Sequence, residues 1–207
     1  MTYDLFSKDN NDAESCIKLN MQNADVRLYP SFFSACEADA LMSALKSEIN
    51  WKQEKIKIYG QVHDLPRLTA WYGEPNKKYK YSGIIVESDP WTLTLQKIKD
   101  RIEKFAAVKF NSVLLNLYRT GSDSVAWHSD DEPELGKNPS IGSITFGEAR
   151  PFQLKYKTNK DIKEQIILNH GSFLLMQGET QHFWLHQIPK SQKNMGERIN
   201  LTFRLVE

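Results

Sequence analysis

Cysteine is scarce in this sequence: its 207 residues include two, Cys16 and Cys36. Two thiols make no disulfide framework, and a chain without one suits a reducing compartment. Long apolar runs are missing as well. No stretch reaches the roughly 18 to 20 residues that a bilayer-spanning helix needs. The opening MTYDLFSKDNNDAESC has neither the basic start nor the apolar stretch of a secretory signal. The expectation is a cytoplasmic protein (nuclear in a eukaryote) with no membrane partner. A large charge excess is also absent. The net charge of +1 excludes a strongly basic nucleic-acid binder at the level of the whole chain, but leaves local strips possible. Three such strips exist: Lys52, Lys55 and Lys57; Lys77, Lys78 and Lys80; Lys155, Lys157 and Lys160. Trp51, Tyr59, Tyr79, Tyr81 and Tyr156 interleave with them.

What is present is ordinary for a folded domain. Hydrophobic residues make up 40% and charged residues 26%, enough for one compact core without covalent staples. Residues 1–24 are polar and read as an arm or a loosely attached cap, leaving 25–207 as a single domain that acts as a monomer. Ser34, with Glu37 three residues on, has the form of a capping box before Leu41, Leu45 and Ile49 at helical spacing. A second helix is predicted over 91–105, with Leu95, Ile98, Ile102 and Phe105 on one face and Asp89-Pro90 at its start. Between the helices, Gly60 separates two β-prone stretches and predicts a hairpin. From residue 111 onward short strands follow one another: SVLLNLY, SIGSITFG, RPFQLKYK, QIILN, GSFLLMQ, HFWLHQI and RINLTFRLV. This predicts an α+β fold, two early helices outside a double-layered β core.

Five histidines are available to chemistry. His128 and Asp130 stand two apart in AWHSDDE, so on an extended chain they share a face and can point at one cation. A third ligand from His170, His182 or His186 would complete the two-histidine, one-carboxylate facial triad of non-haem Fe(II) oxygenases. A bare His-x-Asp is weak evidence. The signal strengthens at RINLTFR, where Arg198, Asn200, Thr202 and Arg204 fall on one strand face and Ile199, Leu201, Phe203 and Leu205 on the other. Two guanidinium groups turned inward need anionic partners, and a small dicarboxylic acid would supply them in bidentate geometry.

NLYRTG (116–121), HSD (128–130), LHQIP (185–189) and RINLTFR (198–204) together resemble the AlkB dioxygenase family, in particular its double-stranded-DNA repair branch. PRLTAWYG (66–73), YKYSG (79–83), SITFGEARPF (143–152) and NHGSFLLM (169–176) extend the resemblance from about Leu65 to Arg204. It implies a double-stranded β-helix (jelly-roll) core over about 111–207 and a nucleotide-recognition lid over about 51–90. His128, Asp130 and His186 would bind Fe(II). Asn116, Tyr118, Arg198, Asn200, Thr202 and Arg204 would hold 2-oxoglutarate, one arginine at the distal carboxylate and the other nearer the metal. His186 is preferred over His182 because its place before the arginine strand matches the family. His63 and His170 then read as structural or surface residues.

The resemblance also implies a substrate end. Glu132 matches an acidic residue that contacts the exocyclic edge of a lesion base, with Asp131 beside it. Tyr79, Tyr81 and Ser82 match a lid that sandwiches an extruded base. Ile58 and Tyr59 match a hairpin tip wedged into the duplex, Arg67 a brace for the lid or a phosphate, and Lys155 and Lys157 backbone contacts. Leu117, where relatives often carry a basic residue, and the short lysine-rich stretch after 156 depart from the pattern. The implied reaction consumes 2-oxoglutarate and O2, hydroxylates the N-alkyl group and releases an aldehyde, succinate and CO2. N1-Methyladenine and N3-methylcytosine in DNA are the implied lesions. An oxygenase acting on RNA or protein, and an inactive nucleic-acid-binding module, are the competing readings.

Overall fold

The computed structural model describes residues 15–58, 60–74, 78–81 and 84–207. Tyr59 and Ser82 lie outside the described residues, as do the side chains of Ile58, Tyr79 and Tyr81 and residues 1–14 of the expected arm. The chain begins with β1 (Ile17–Lys18) and β2 (Asp25–Tyr29), then α1 (Ala35–Glu48). Two hairpins flank a longer strand: β3 (Lys55–Ile58) with β4 (Gln61–Asp64), then β5 (Leu68–Gly73), then β6 (Lys78–Tyr81) with β7 (Ile84–Glu87). After β8 (Asp89–Pro90) and α2 (Leu93–Ala106) come β9 (Ser112–Tyr118), β10 (Val125–His128), β11 (Ile141–Gly147) and β12 (Arg150–Tyr156). The chain ends with β13 (Lys163–Leu168), β14 (Ser172–Gln177), a single turn α3 (Thr180–Phe183), β15 (Trp184–Ile188) and β16 (Arg198–Arg204). No helix among the described residues is long and apolar enough to cross a membrane.

Two sheets face each other. The larger runs β1-β2-β14-β11-β16-β9-β5-β8, the smaller β10-β15-β12-β13. One apolar cluster fills the space between the larger sheet and the helices: Leu41, Leu45, Leu95, Ile98 and Ile102 meet Ile144, Phe146, Phe173, Ile199, Leu201 and Phe203. A second lies between the sheets and includes Trp71, Leu114, Phe152, Leu154, Leu174, Met176 and Trp184. Strand alternation sorts the side chains: odd positions of β16 pack under the helices, even positions face the smaller sheet.

The expected capping box is present. Ser34 Oγ accepts from Glu37 N, and the Glu37 carboxylate accepts from Ser34 N at 2.9 Å. The hairpin forms where expected, with Gly60 at φ +83°, a left-handed conformation that glycine adopts without strain.

Four expectations need correction. The second helix starts later, because Thr92 caps it through Leu95 N, while Asp89-Pro90 pairs with Tyr72-Gly73. Residues 182–183 of the expected strand HFWLHQI are helical. The lid range 51–90 is divided: the two hairpins form separate sheets, but β5 is built into the larger sheet against β9. The stretch 15–24 is docked, since Met21 is buried, Trp184 Nε1 donates to Gln22 O and Asn23 Nδ2 to Tyr156 Oη.

Candidate active site

His128 ends β10 and His186 sits mid-way along β15. These strands pair antiparallel with the two histidines as register partners, so their rings meet at 4.2 Å between centroids. Asp130 lies two residues past β10, in a bend. Ligand atoms of His128, Asp130 and His186 all fall within 4.8 Å of one another. His128 Nδ1 lies 2.8 Å from the Ala126 carbonyl oxygen; with the proton on Nδ1 it donates there, leaving the Nε2 lone pair for an ion. Phe152 stacks on His186 from the sheet side at 5.1 Å.

The electrostatics suit a cation. Burial pushes the Asp130 carboxyl up, but Arg204, His186 and His128 outweigh it and hold the group down to about 2. Burial, joined by the charge of His128, pushes His186 down to about 3. One ionised carboxylate and one neutral imidazole therefore face each other at neutral pH. Arg204 Nη2 donates to Asp130 Oδ1 at 2.7 Å, whereas Asp130 Oδ2 is solvent-excluded and has no partner. An orphaned buried carboxylate oxygen beside two imidazoles fits a divalent metal of the Fe(II) type.

The arginine strand supplies the facing wall. Arg198 Nη2 donates to Thr145 Oγ1 and to Asn200 Oδ1, both at 2.8 Å. Its Nε and Nη1 are buried without a partner. Burial lowers the guanidinium to about 10, against the opposing pull of Tyr118, whose ring lies 5.0 Å away. Ser143 Oγ donates to Asn200 Oδ1, and Asn200 Nδ2 donates to Thr202 Oγ1. Asn116, Tyr118, Arg198, Asn200, Thr202 and Arg204 thus line one cavity with the three metal-ligand candidates.

The expected substrate residues divide. Glu132 lines a neighbouring cavity with His128, Ile56 and Leu65, and its Oε2 is buried without a partner. Arg67 is not at a phosphate-facing surface. It is 4% exposed, lines both cavities, and donates to Asn116 Oδ1 at 2.7 Å and to Ser124 O at 3.1 Å. Lys157 Nζ donates to Asp131 Oδ2 at 2.8 Å. Lys155 points from the outer face of the smaller sheet, its Nζ 4.2 Å from the Trp127 ring centroid, because it alternates with inward Leu154. His182 is exposed on α3 and His63 on β4. His170 accepts from Gly147 N and lies 3.3 Å from Asp39, away from the cavity.

Sequence reading missed Ser143 and Thr145. Their alternation in SITFG is the strand signal that could have found them. It also missed Arg150, fully buried, whose guanidinium reaches the carbonyls of Asp123 and Pro189 and flanks Tyr118 at 5.7 Å.

The model of the 2OG-Fe(II) oxygenase superfamily matches residues 25–204. Among curated relatives, alpha-ketoglutarate-dependent dioxygenase alkB homolog 3 of Homo sapiens is 44% identical over 190 residues, covering 87% of this chain and 66% of its own length. DNA oxidative demethylase ALKBH2 of Mus musculus is 32% identical over 188 residues, covering 86% and 79%. The solved structure of OsALKBH1 covers 92% of this chain and 100% of its own at a TM-score of 0.65 and 16% identity, a likeness of fold. The chain belongs to the AlkB family of 2OG-Fe(II) oxygenases. Its family chemistry is that of Fe(II), 2-oxoglutarate and O2. The chain spans just under two thirds of the length of the alkB homolog 3 relatives it matches, and 79% of mouse ALKBH2.

Proposed function

We propose that this protein oxidatively removes alkyl groups from N-alkylated nucleic-acid bases, such as N1-methyladenine and N3-methylcytosine, in DNA repair. The observation that carries this reading is the convergence of His128, Asp130 and His186 opposite Arg198, whose buried Nε and Nη1 await an acceptor. His128, Asp130 and His186 would hold Fe(II). When bound, the iron with 2-oxoglutarate and O2 supplies the oxidation that hydroxylates the N-alkyl carbon, leaving succinate and CO2.

The remaining tasks belong to this chain. Arg198 provides two donors for the distal carboxylate of 2-oxoglutarate, and Tyr118 closes over that guanidinium. Asn116, Asn200 and Thr202 line the path between that end and the metal. Arg204 fixes Asp130 Oδ1 and so leaves Oδ2 for the ion. Glu132 places a buried acceptor in the cavity beside His128, where it favours a base carrying positive charge and an exocyclic N–H. The name of one relative, a DNA oxidative demethylase, supports the nucleic-acid substrate.

The finer reading is action on duplex DNA, with RNA as a second substrate. It rests on the β3–β4 hairpin, where Lys55 and Lys57 offer charge and Val62 (63% exposed), within β4 opposite Lys57, an exposed apolar side chain to a strand. Succinate and aldehyde release should be measured on methylated duplex, single strands, RNA and methylated peptide. Turnover on methylated nucleic acid but not peptide is expected; turnover on peptide alone would overturn the substrate class. Tyr59→Ala should lower repair of duplex more than of single strands, and equal losses would remove the duplex reading.

A further inference from the structure

We propose that Gln181 is a positioning residue for the metal site, holding Asp130 by its backbone so that the free carboxylate oxygen faces His128 and His186. This rests on the metal reading above.

Gln181 is 0% exposed, in the one-turn helix α3. A primary amide buried this deeply needs partners for both ends. Its Oε1 accepts from Asp130 N at 3.0 Å, across 51 residues of sequence, and its Nε2 donates to Met176 Sδ at 3.6 Å. Asp130 lies past the end of β10, where no ladder bond holds its backbone. The Gln181 oxygen takes the place of that missing bond.

The turn carrying Gln181 is itself fixed. Thr180 Oγ1 donates to Gln177 O and accepts from Asp25 N at 3.0 Å, and Trp184 Nε1 donates to Gln22 O at 2.9 Å. Asp130 is therefore held twice: Gln181 sets its backbone and Arg204 its Oδ1. Only Oδ2 is left for an ion. Groups of this kind typically change metal affinity by about 10- to 100-fold when removed.

Cobalt(II) titration of the iron-free protein, read by visible absorption, tests this apart from turnover. Gln181→Met removes the acceptor at similar volume. Gln181→Glu keeps it, because a buried carboxyl takes up a proton and still offers a carbonyl oxygen. Gln181→Met should bind cobalt about 10- to 100-fold more weakly, with altered absorption bands, and Gln181→Glu should restore most of the affinity. Wild-type affinity and bands in Gln181→Met would overturn the proposal. Should Gln181→Met not fold, Gln181→Asn, one methylene too short, takes its place: weakened binding supports the assignment and unchanged binding overturns it. A wild-type protein that takes up no cobalt sinks the metal reading, and this proposal with it.

Discussion

Arg198 and Arg204 leave the same face of β16, and burial sets them different problems. Arg204 meets a carboxylate within the protein, Asp130, with both side chains 3% exposed. Arg198 meets hydroxyl and amide oxygens but no carboxylate. Breaking a buried ion pair costs about 3–5 kcal/mol, while a buried charge with no ionic partner carries a desolvation penalty that an apolar group of similar length does not, set against the two neutral hydrogen bonds it loses. Arg204→Met should therefore lower the unfolding free energy of the metal-free protein by about that amount, measured in urea. Arg198→Met should leave it unchanged or raised while sharply raising the KM for 2-oxoglutarate. Equal destabilisation by both would contradict the division of labour. Burial and His128 also give His186 a pH signature. Unfolded, its imidazole takes up a proton near 6.5; folded, near 3. The unfolded chain binds more protons in that window, so stability of the metal-free protein is lost as pH falls through it. His186→Gln should flatten that loss, visible as a urea midpoint that changes less between pH 6.5 and 4; an identical pH slope would show that His186 is not the group responsible.

At the scale of elements, legibility followed locality. Helix α1 is readable because its cap, its acidic third residue and its apolar spacing sit within one short segment. Ser34→Ala should cost about 1 kcal/mol of stability, checked by chemical denaturation; no change would mean the Glu37 side chain carries the cap alone. Strand β16 is readable because period-2 alternation separates Arg198, Asn200, Thr202 and Arg204 from Ile199, Leu201 and Phe203 without reference to any partner. Helix α3 is not readable. Four residues are too few for periodicity, and Gln181 is buried only because Asp130 and Met176 come to it. The same reason hid the turn of Asp131 toward Lys157 and of Arg67 toward Asn116. Each is a long-range pairing with no local mark: one ties Asp131 to a lysine, the other holds Arg67 by Asn116 in the walls of both cavities.

For the whole molecule, the α+β class and a two-layered β core follow from strand spacing and two amphipathic helices. The order of strands does not. β9 and β16 are neighbours although more than 70 residues separate them, and their register sets Asn116 beside Asn200 and Tyr118 beside Arg198. The site was legible as a set of residue types, through motifs that resemble the AlkB family; its depth and its supporting bonds are properties of the closed sandwich. The lid is the part least accessible to sequence, since β5 left it for the larger sheet. The account stands most directly on succinate release, measured with oligonucleotides carrying 3-methylcytosine, in wild type, His128→Ala and Asp130→Ala. It predicts Fe(II)- and 2-oxoglutarate-dependent succinate, with matching loss of the methyl group, in the wild type alone. Succinate formation that survives either substitution, or its absence from folded wild-type protein supplied with iron, would contradict it.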